Sequence, residues 1–183
     1  MTQEAVPYKS DAPNRRMIPV EDLKSCVLVS REKVKLSQVD PYGHLNAARY
    51  LEFMVNHRVE AAEDQLSCLT LDLLRELKIA FVVSDARVQY LRPSHCGEEL
   101  EIASWINAVS EHGFALTILI TGSQSRHAKS VGSIEFRSIC AASGKPSVMP
   151  ASLPSRATED LVSRCPTVDA YKKTVKVPHG VLL

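Results

Sequence analysis

The densest group of residues able to do chemistry is Asp40-Pro-Tyr-Gly-His-Leu-Asn, followed by Ala47-Ala-Arg-Tyr. Asp, Pro and Gly at the first, second and fourth positions fit a type I turn, and Asn46 fits the N-cap of a helix. A helix N-terminus offers unpaired backbone N–H groups and the positive end of a dipole, where an oxyanion is stabilised. A carboxylate at Asp40, held just ahead of that terminus, can act as a general base on water or as a nucleophile. A thioester suits such a site, because its carbonyl is electrophilic and its thiolate leaves readily. One carboxylate and an oxyanion site then suffice without a Ser/His/Asp triad. The same residues also make a purely structural unit, a turn leading into a capped helix. Spacing alone does not decide between the two.

The elements that must position this turn can be read outward from it. Leu51, Val55, Val59, Ala62 and Leu66 recur at helical spacing, which predicts a helix from about Asn46 to Leu66 with those residues on its core face. Glu52, Asn56, Glu60 and Glu63 fall on a polar face. At 1.5 Å per residue, about twenty residues make a rod of roughly 30 Å, long enough to cross a small domain. Leu69–Leu77 reads as a second, short helical segment. Upstream, Cys26–Val29 is a short β-type run, followed by alternating Val34 and Leu36. Downstream to about residue 141, period-2 patterns recur through Ile79–Tyr90, Glu99–Ile106, Phe114–Ile120 and Ile134–Cys140. The connections at Arg92–Gly97, Ser110–Gly113 and Gly122–Ser125 are hairpin-length and rich in turn formers, which predicts antiparallel neighbours. The fold class is therefore α+β, a curved antiparallel sheet with one long helix on one face. Residues 25–152 form the expected compact domain. Pro-punctuated, weakly patterned extensions lie at 1–24 and 153–183, with a short helical turn at Thr158–Val162.

Composition removes several classes of function. The chain has 183 residues, 45% hydrophobic and 23% charged, with a formal net charge of +1. Bulk charge therefore gives no grip on nucleic acid, and the apolar fraction is too high for disorder. No apolar run approaches the ~18–20 residues of a membrane span. The five cysteines (Cys26, Cys68, Cys96, Cys140 and Cys165) are scattered without a C-x-x-C pair, which argues against a disulfide framework and a zinc site. The N-terminus lacks a secretory apolar core, so the expected compartment is the cytoplasm. No glycine spacing forms a phosphate loop, and Ser130 and Ser133 lack a nucleophile elbow. No cofactor and no metal are expected. His57, in mid-helix, reads as a packed or surface histidine. Glu60 and Glu63 read as a solvated face, although either could supply a second carboxylate. Arg87, Arg92, Arg126 and Lys129 have the chemistry to pair with phosphates.

Asp40-Pro-Tyr-Gly-His-Leu-Asn-Ala-Ala-Arg-Tyr resembles the "D-x-x-G-H-x-N-x-x-x-Y" signature of hotdog-fold thioesterases of the 4-hydroxybenzoyl-CoA thioesterase-like group. Val88-Gln-Tyr-Leu-Arg-Pro with Gly97-Glu-Glu-Leu resembles the family's "Y-x-x-P…G-D-x-L". Ser143-Gly-Lys-Pro with Met149-Pro resembles its last-strand ending, so the likeness runs from about Val27 to Pro150. It implies a hotdog fold, in which a curved antiparallel sheet wraps one long central helix and active sites form between two subunits. It implies that Asp40 is the catalytic carboxylate. Backbone N–H groups from Gly43 to Asn46, or from the partner subunit, would hold the thioester carbonyl. Gly43, His44, Asn46 and Tyr50 would shape the acyl pocket or orient Asp40; Arg87 and Arg92, by arginine's affinity for phosphate rather than by the resemblance, are candidates to bind coenzyme A phosphates. Two positions depart from the pattern: Ala47 stands where a second Asn is common, and Glu98 where Asp is common.

The activity implied is hydrolysis of an acyl-CoA or acyl-carrier-protein thioester to free acid and thiol, by a homodimer or homotetramer. Two other readings stand beside it. One is a non-catalytic acyl-thioester-binding module on the same fold. The other is an enoyl-thioester hydratase or dehydratase, which needs a carboxylate and a His acting across the site. Here His44 is four residues from Asp40 on the same turn.

Overall fold

A computed structural model describes residues 18–19, 27–65, 71–149 and 168–181. The alternating segments form six strands, β1 (Ile18–Pro19), β2 (Leu28–Lys33), β3 (Ile79–Tyr90), β4 (Glu99–Ser110), β5 (Gly113–Gly122) and β6 (Ala128–Cys140). Among the described residues, three helices accompany them, α1 (Ala47–Gln65), α2 (Leu71–Glu76) and α3 (Val168–Lys172). Every pairing is antiparallel, in the order β1-β4-β5-β6-β3, with β2 also beside β4. β2 pairs with the first half of β4 and β1 with its end, so the two share one edge. Register shifts in β3, β4 and between β5 and β6 bend the sheet. This is the α+β hotdog architecture expected above.

Helix α1 begins where the sequence predicts. Asn46 caps it, its Oδ1 accepting the Ala48 N–H at 3.0 Å. The core face is different from the predicted one. The buried stripe is Tyr50, Phe53, Met54, His57 and Arg58, whereas Val59 is exposed and Leu51 and Val55 are only half-buried. The side chain of Ala62 and all of Leu66 lie outside the described residues, as does the Thr158–Val162 turn. Tyr50, Phe53 and Met54 pack on Leu100, Ile102, Leu116, Ile118, Ile120 and Ile134. Each such fully buried side chain contributes about 1.5–3 kcal/mol. Gly132 lets the helix come close, since a Cβ there would lie 2.4 Å from Met54 Sδ.

His57 and Arg58 join this stripe because the sheet satisfies them. His57 bonds Ser30 Oγ on β2 at 2.6 Å and Ser104 Oγ on β4 at 2.9 Å, one ring nitrogen donating and the other accepting. The Arg58 guanidinium lies 5.2 Å from the centroid of the Phe114 ring. A pattern of apolar residues could not reveal a stripe whose two polar members are satisfied by other elements.

Two further expectations change. The connection from β3 to β4 is not a hairpin, because β3 runs to the far edge and pairs with β6. Residues 91–98 therefore cross one end of the sheet. Val34 does not continue a strand, and Leu36–Gln38 is a 3₁₀ turn. Finally, residues 168–181, within the expected C-terminal extension, pack on the sheet. Tyr171, with Val168, Val175 and Val177, packs against Val27, Ala103, Trp105, Leu119 and Ala128 on the sheet face opposite α1. β5 is consequently buried along its whole length, covered on both faces. Among the described residues, no helix is long and apolar enough to cross a membrane.

Candidate active site

Asp40 sits in the β-turn that its neighbours predict. The Gly43 N–H donates to the Asp40 carbonyl at 3.0 Å, and Gly43 takes φ +79°. A Cβ at Gly43 would meet nothing within 4 Å, so glycine is needed here for backbone freedom alone. The half-buried Asp40 carboxylate folds over its own turn. Oδ1 accepts the N–H groups of Tyr42 at 2.9 Å and His44 at 3.0 Å. No donor among the described residues reaches Oδ2. One oxygen is fixed and the other is available.

The crossing segment 91–98 braces this turn. The Ser94 carbonyl accepts the Leu45 N–H at 2.8 Å, and His44 and His95 face each other across an isolated β-bridge. Their rings meet edge to face, with centroids 5.0 Å apart. Ser94 is fully buried and clasped by Tyr50, whose hydroxyl donates to Ser94 Oγ at 3.0 Å and accepts the Ser94 N–H at 3.1 Å. Burial raises the Tyr50 phenol above its ordinary pKa, against the pull of those bonds. The Tyr90 hydroxyl donates to the Ala47 carbonyl at 3.0 Å, tying the end of β3 to the first turn of α1.

The backbone N–H groups around the turn have acceptors within the chain. The N–H of Gly43 donates to Asp40 O, His44 to Asp40 Oδ1, Leu45 to Ser94 O and Asn46 to Gln38 O. All four have acceptors inside the chain. Within residues 42–49, the exposed Ala47 alone keeps an N–H with no acceptor among the described residues. The position where the family pattern commonly has Asn is thus the open amide at the helix start.

The sequence-derived candidates separate into two sets. Asp40, Gly43, His44, Asn46 and Tyr50 come together, although Tyr50 is buried with its hydroxyl on Ser94 and so braces the site from behind. Arg87 does not join them within one protomer. It projects from β3, 82% exposed, and pairs with Asp85 at 3.2 Å. Arg92 is exposed at the start of the crossing segment, its N–H donating to the Lys129 carbonyl at 3.1 Å. Glu60 is exposed, and the side chain of Glu63 lies outside the described residues. Ser94 and His95 escaped the sequence reading, because no periodicity marks them. The only available signal was their place between Pro93 and Gly97 in the second resemblance stretch.

A groove of about 310 Å³ lies nearby, lined by Gly97, Glu98, Glu99, Gly122, Ser123, Gln124 and Ser125. It is polar and does not include Asp40. Among the described residues, no three His, Cys, Asp or Glu side chains are grouped to hold a metal ion.

Comparisons with known proteins give this geometry its context. The chain is 33% identical over 89 residues to the long-chain acyl-CoA thioesterase FadM of Escherichia coli K12, covering 49% of this chain and 65% of that protein. The chain thus spans just under two thirds of the length of that curated relative. The crystal structure of the probable thioesterase YbaW from Escherichia coli is similar at a TM-score of 0.62 and 26% identity, over 73% of this chain and 98% of that one. The 1,4-dihydroxy-2-naphthoyl-CoA thioesterase of Synechocystis shares the fold at a TM-score of 0.64 and 19% identity, over 74% of this chain and 98% of that one. The description of the thioesterase-like superfamily matches residues 34–158, and the chain belongs to that superfamily.

Proposed function

We propose that the protein is a thioesterase that hydrolyses an acyl-CoA or acyl-carrier-protein thioester to a free acid and a thiol. The observation that carries this reading is the divided role of the Asp40 carboxylate. Oδ1 is pinned by two backbone N–H groups, and no donor among the described residues reaches Oδ2 beside the N-terminus of α1. Oδ2 removes a proton from the attacking water, or attacks the thioester carbon itself. The Ala47 N–H, at the positive end of the helix dipole, is the protomer's contribution to holding the carbonyl oxygen as it gains charge. The carbon–sulfur bond then breaks and the thiolate departs; in the nucleophilic route a water then cleaves the resulting Asp40 acyl anhydride, releasing the free acid and restoring the carboxylate.

The working unit in this reading is a homo-oligomer, a dimer or tetramer. The outer edge of β3 has no strand partner among the described residues. Val59, Val82, Val83 and Tyr90, on α1 and β3, are each 41–53% exposed. An open edge beside apolar side chains favours a second copy of the chain. That copy would supply the acyl-pocket wall and the further donors that one protomer lacks. The cytoplasm suits such a substrate and a dispersed set of cysteines, of which Cys96 and Cys140 are free.

Asp40→Asn tests the assignment directly. Asparagine keeps an oxygen for the Tyr42 and His44 N–H groups but removes the base. Thiol release across an acyl-thioester panel should fall by about 10²–10⁴-fold. Turnover within threefold of the unsubstituted protein would sink the proposal.

A further inference from the structure

The crossing segment that braces Asp40 at Ser94 begins, two residues earlier, in a group of basic side chains. The N–H groups of Leu91 and Arg92 share the Lys129 carbonyl, at 2.8 and 3.1 Å. Two residues before Lys129, His127 forms a parallel bridge to Lys176 in the C-terminal segment. Lys176 is locked there by its N–H on Arg126 O at 2.7 Å and its carbonyl on the Ala128 N–H at 3.0 Å. Arg126 takes the left-handed conformation, φ +57°, as the chain turns into this pairing. Three segments distant in sequence thus place Arg92, His127, Lys129 and Lys176 together.

Their charges are not equally balanced. The Lys129 ammonium is paired with Glu98 at 2.6 Å and donates to the Pro93 carbonyl at 2.9 Å. Arg126 is taken up by Glu101 and Thr174. Arg92 and Lys176 are exposed and have no carboxylate in ion-pair range among the described residues. His127 feels both, since lost solvation and then the charges of Arg92, Lys176 and Lys129 hold its pKa below the ordinary value. Unbalanced like charges held close together repel, and a multiply charged anion relieves the repulsion. Arginine adds a fork that grips phosphate through two donors. Two residues of backbone span at most about 7 Å, so the cluster adjoins the loop that holds the Asp40 turn.

We propose that Arg92, His127 and Lys176 bind the phosphates of coenzyme A, with the Lys129–Glu98 pair fixing the floor beneath them. The assignment rests on the thioesterase reading, which supplies a ligand with a thioester at one end of a flexible arm and phosphates at the other. Lys176 lies outside the stretch that matches the superfamily, so this part of the site belongs to the chain's own C-terminal segment. The nucleotide end carries two more phosphates than the single one that a carrier-protein arm bears, and a cluster with two cations lacking a carboxylate among the described residues, together with an imidazole, suits the greater charge.

The test is direct binding of coenzyme A and of 4′-phosphopantetheine, by calorimetry, to the full chain and to Arg92→Gln, Lys176→Gln, the double variant, Lys176→Arg and Lys173→Gln. The double variant should weaken coenzyme A binding by about tenfold or more, as expected for loss of charge-assisted bonds. Binding of 4′-phosphopantetheine should change less than about twofold. Lys176→Arg should retain affinity, and Lys173→Gln, on the same segment, should behave as the unsubstituted chain. Coenzyme A binding unchanged in the double variant overturns the proposal. An equal loss for 4′-phosphopantetheine also overturns it, since the cluster would then serve only the phosphate common to carrier arms. Failure of the thioesterase reading itself looks different. In that case neither acyl-CoA nor acyl-pantetheine is cleaved by the unsubstituted protein, whatever the binding arms report.

Discussion

Two polar clusters flank the start and the middle of α1, and both contain residues that hydrolases use. His57 lies between the hydroxyls of Ser30 and Ser104 at 2.6 and 2.9 Å, with only 2% of its surface exposed. Asp40 lies half-buried in a turn, with one carboxylate oxygen fixed and the other open. In the first cluster every ring nitrogen has a partner and no substrate can enter. Burial, and after it the Arg58 charge, hold the imidazole neutral down to a pKa of about 4. In the second, fixation and availability are divided between two atoms of one group. Chemistry requires the second arrangement. A serine and a histidine at hydrogen-bond distance mean little when both are sealed in a core.

Substitutions can break this contrast. The largest effect is expected at Asp40→Ala, which removes the base together with the acceptor for two N–H groups. It should lose activity as Asp40→Asn does and should also lose about 1–2 kcal/mol of stability that the asparagine variant retains. Urea unfolding of the two variants side by side checks the split. His57→Ala should do the reverse. It leaves a cavity and removes the partner of the buried Ser104 hydroxyl and of the half-buried Ser30 hydroxyl, which costs about 3 kcal/mol, or about 10 °C in Tm. Its kcat per folded molecule should stay within about threefold of the unsubstituted value.

Acid should act through the same histidine. Its folded-state pKa lies below the unfolded value of about 6.5. The unfolded chain therefore binds the proton first, and the His57 contribution is complete above pH 6.5. It is lost as pH falls toward 4, by about 2–3 kcal/mol between pH 7 and 4.5. Urea titrations at those two pH values should show a drop that is smaller in a His57→Gln chain. The smallest effect is expected at Ser94→Ala, which removes the Oγ contact of Tyr50 and leaves the Ser94 carbonyl on Leu45. Stability should fall by about 1 kcal/mol and kcat by a few-fold, with KM little changed.

The legible parts of the molecule were the local ones. Asn46 as a cap, the Asp40–Gly43 turn and the period-2 runs depend on neighbours in sequence, and each is found where the residues place it. The helix face was misread because its true stripe contains His57 and Arg58, which only β2, β4 and Phe114 make acceptable in a core. The segment 91–98 has the length and composition of a hairpin, yet pairing of β3 with β6 turns it into the brace of the site. Nothing in residues 168–181 announces a docking partner, because Tyr171 and the valines around it acquire their meaning only against Trp105 and Leu119. The engagement of the backbone N–H groups around the turn was hidden for a related reason. The N–H groups of Leu45 and Asn46 find acceptors on Ser94 and Gln38, and such long- and medium-range pairs are invisible to spacing.

The central claim is that reactivity belongs to the turn at Asp40 and that the serine–histidine cluster is structural. Thiol release from one acyl-CoA substrate, measured for Asp40→Asn and His57→Gln in a single assay with folding followed by circular dichroism, tests it most directly. Asp40→Asn should stay folded and lose about 10²–10⁴ in kcat/KM, while His57→Gln should keep its rate per folded molecule. A folded Asp40→Asn protein with near-normal turnover, or a stable His57→Gln protein without activity, would contradict it.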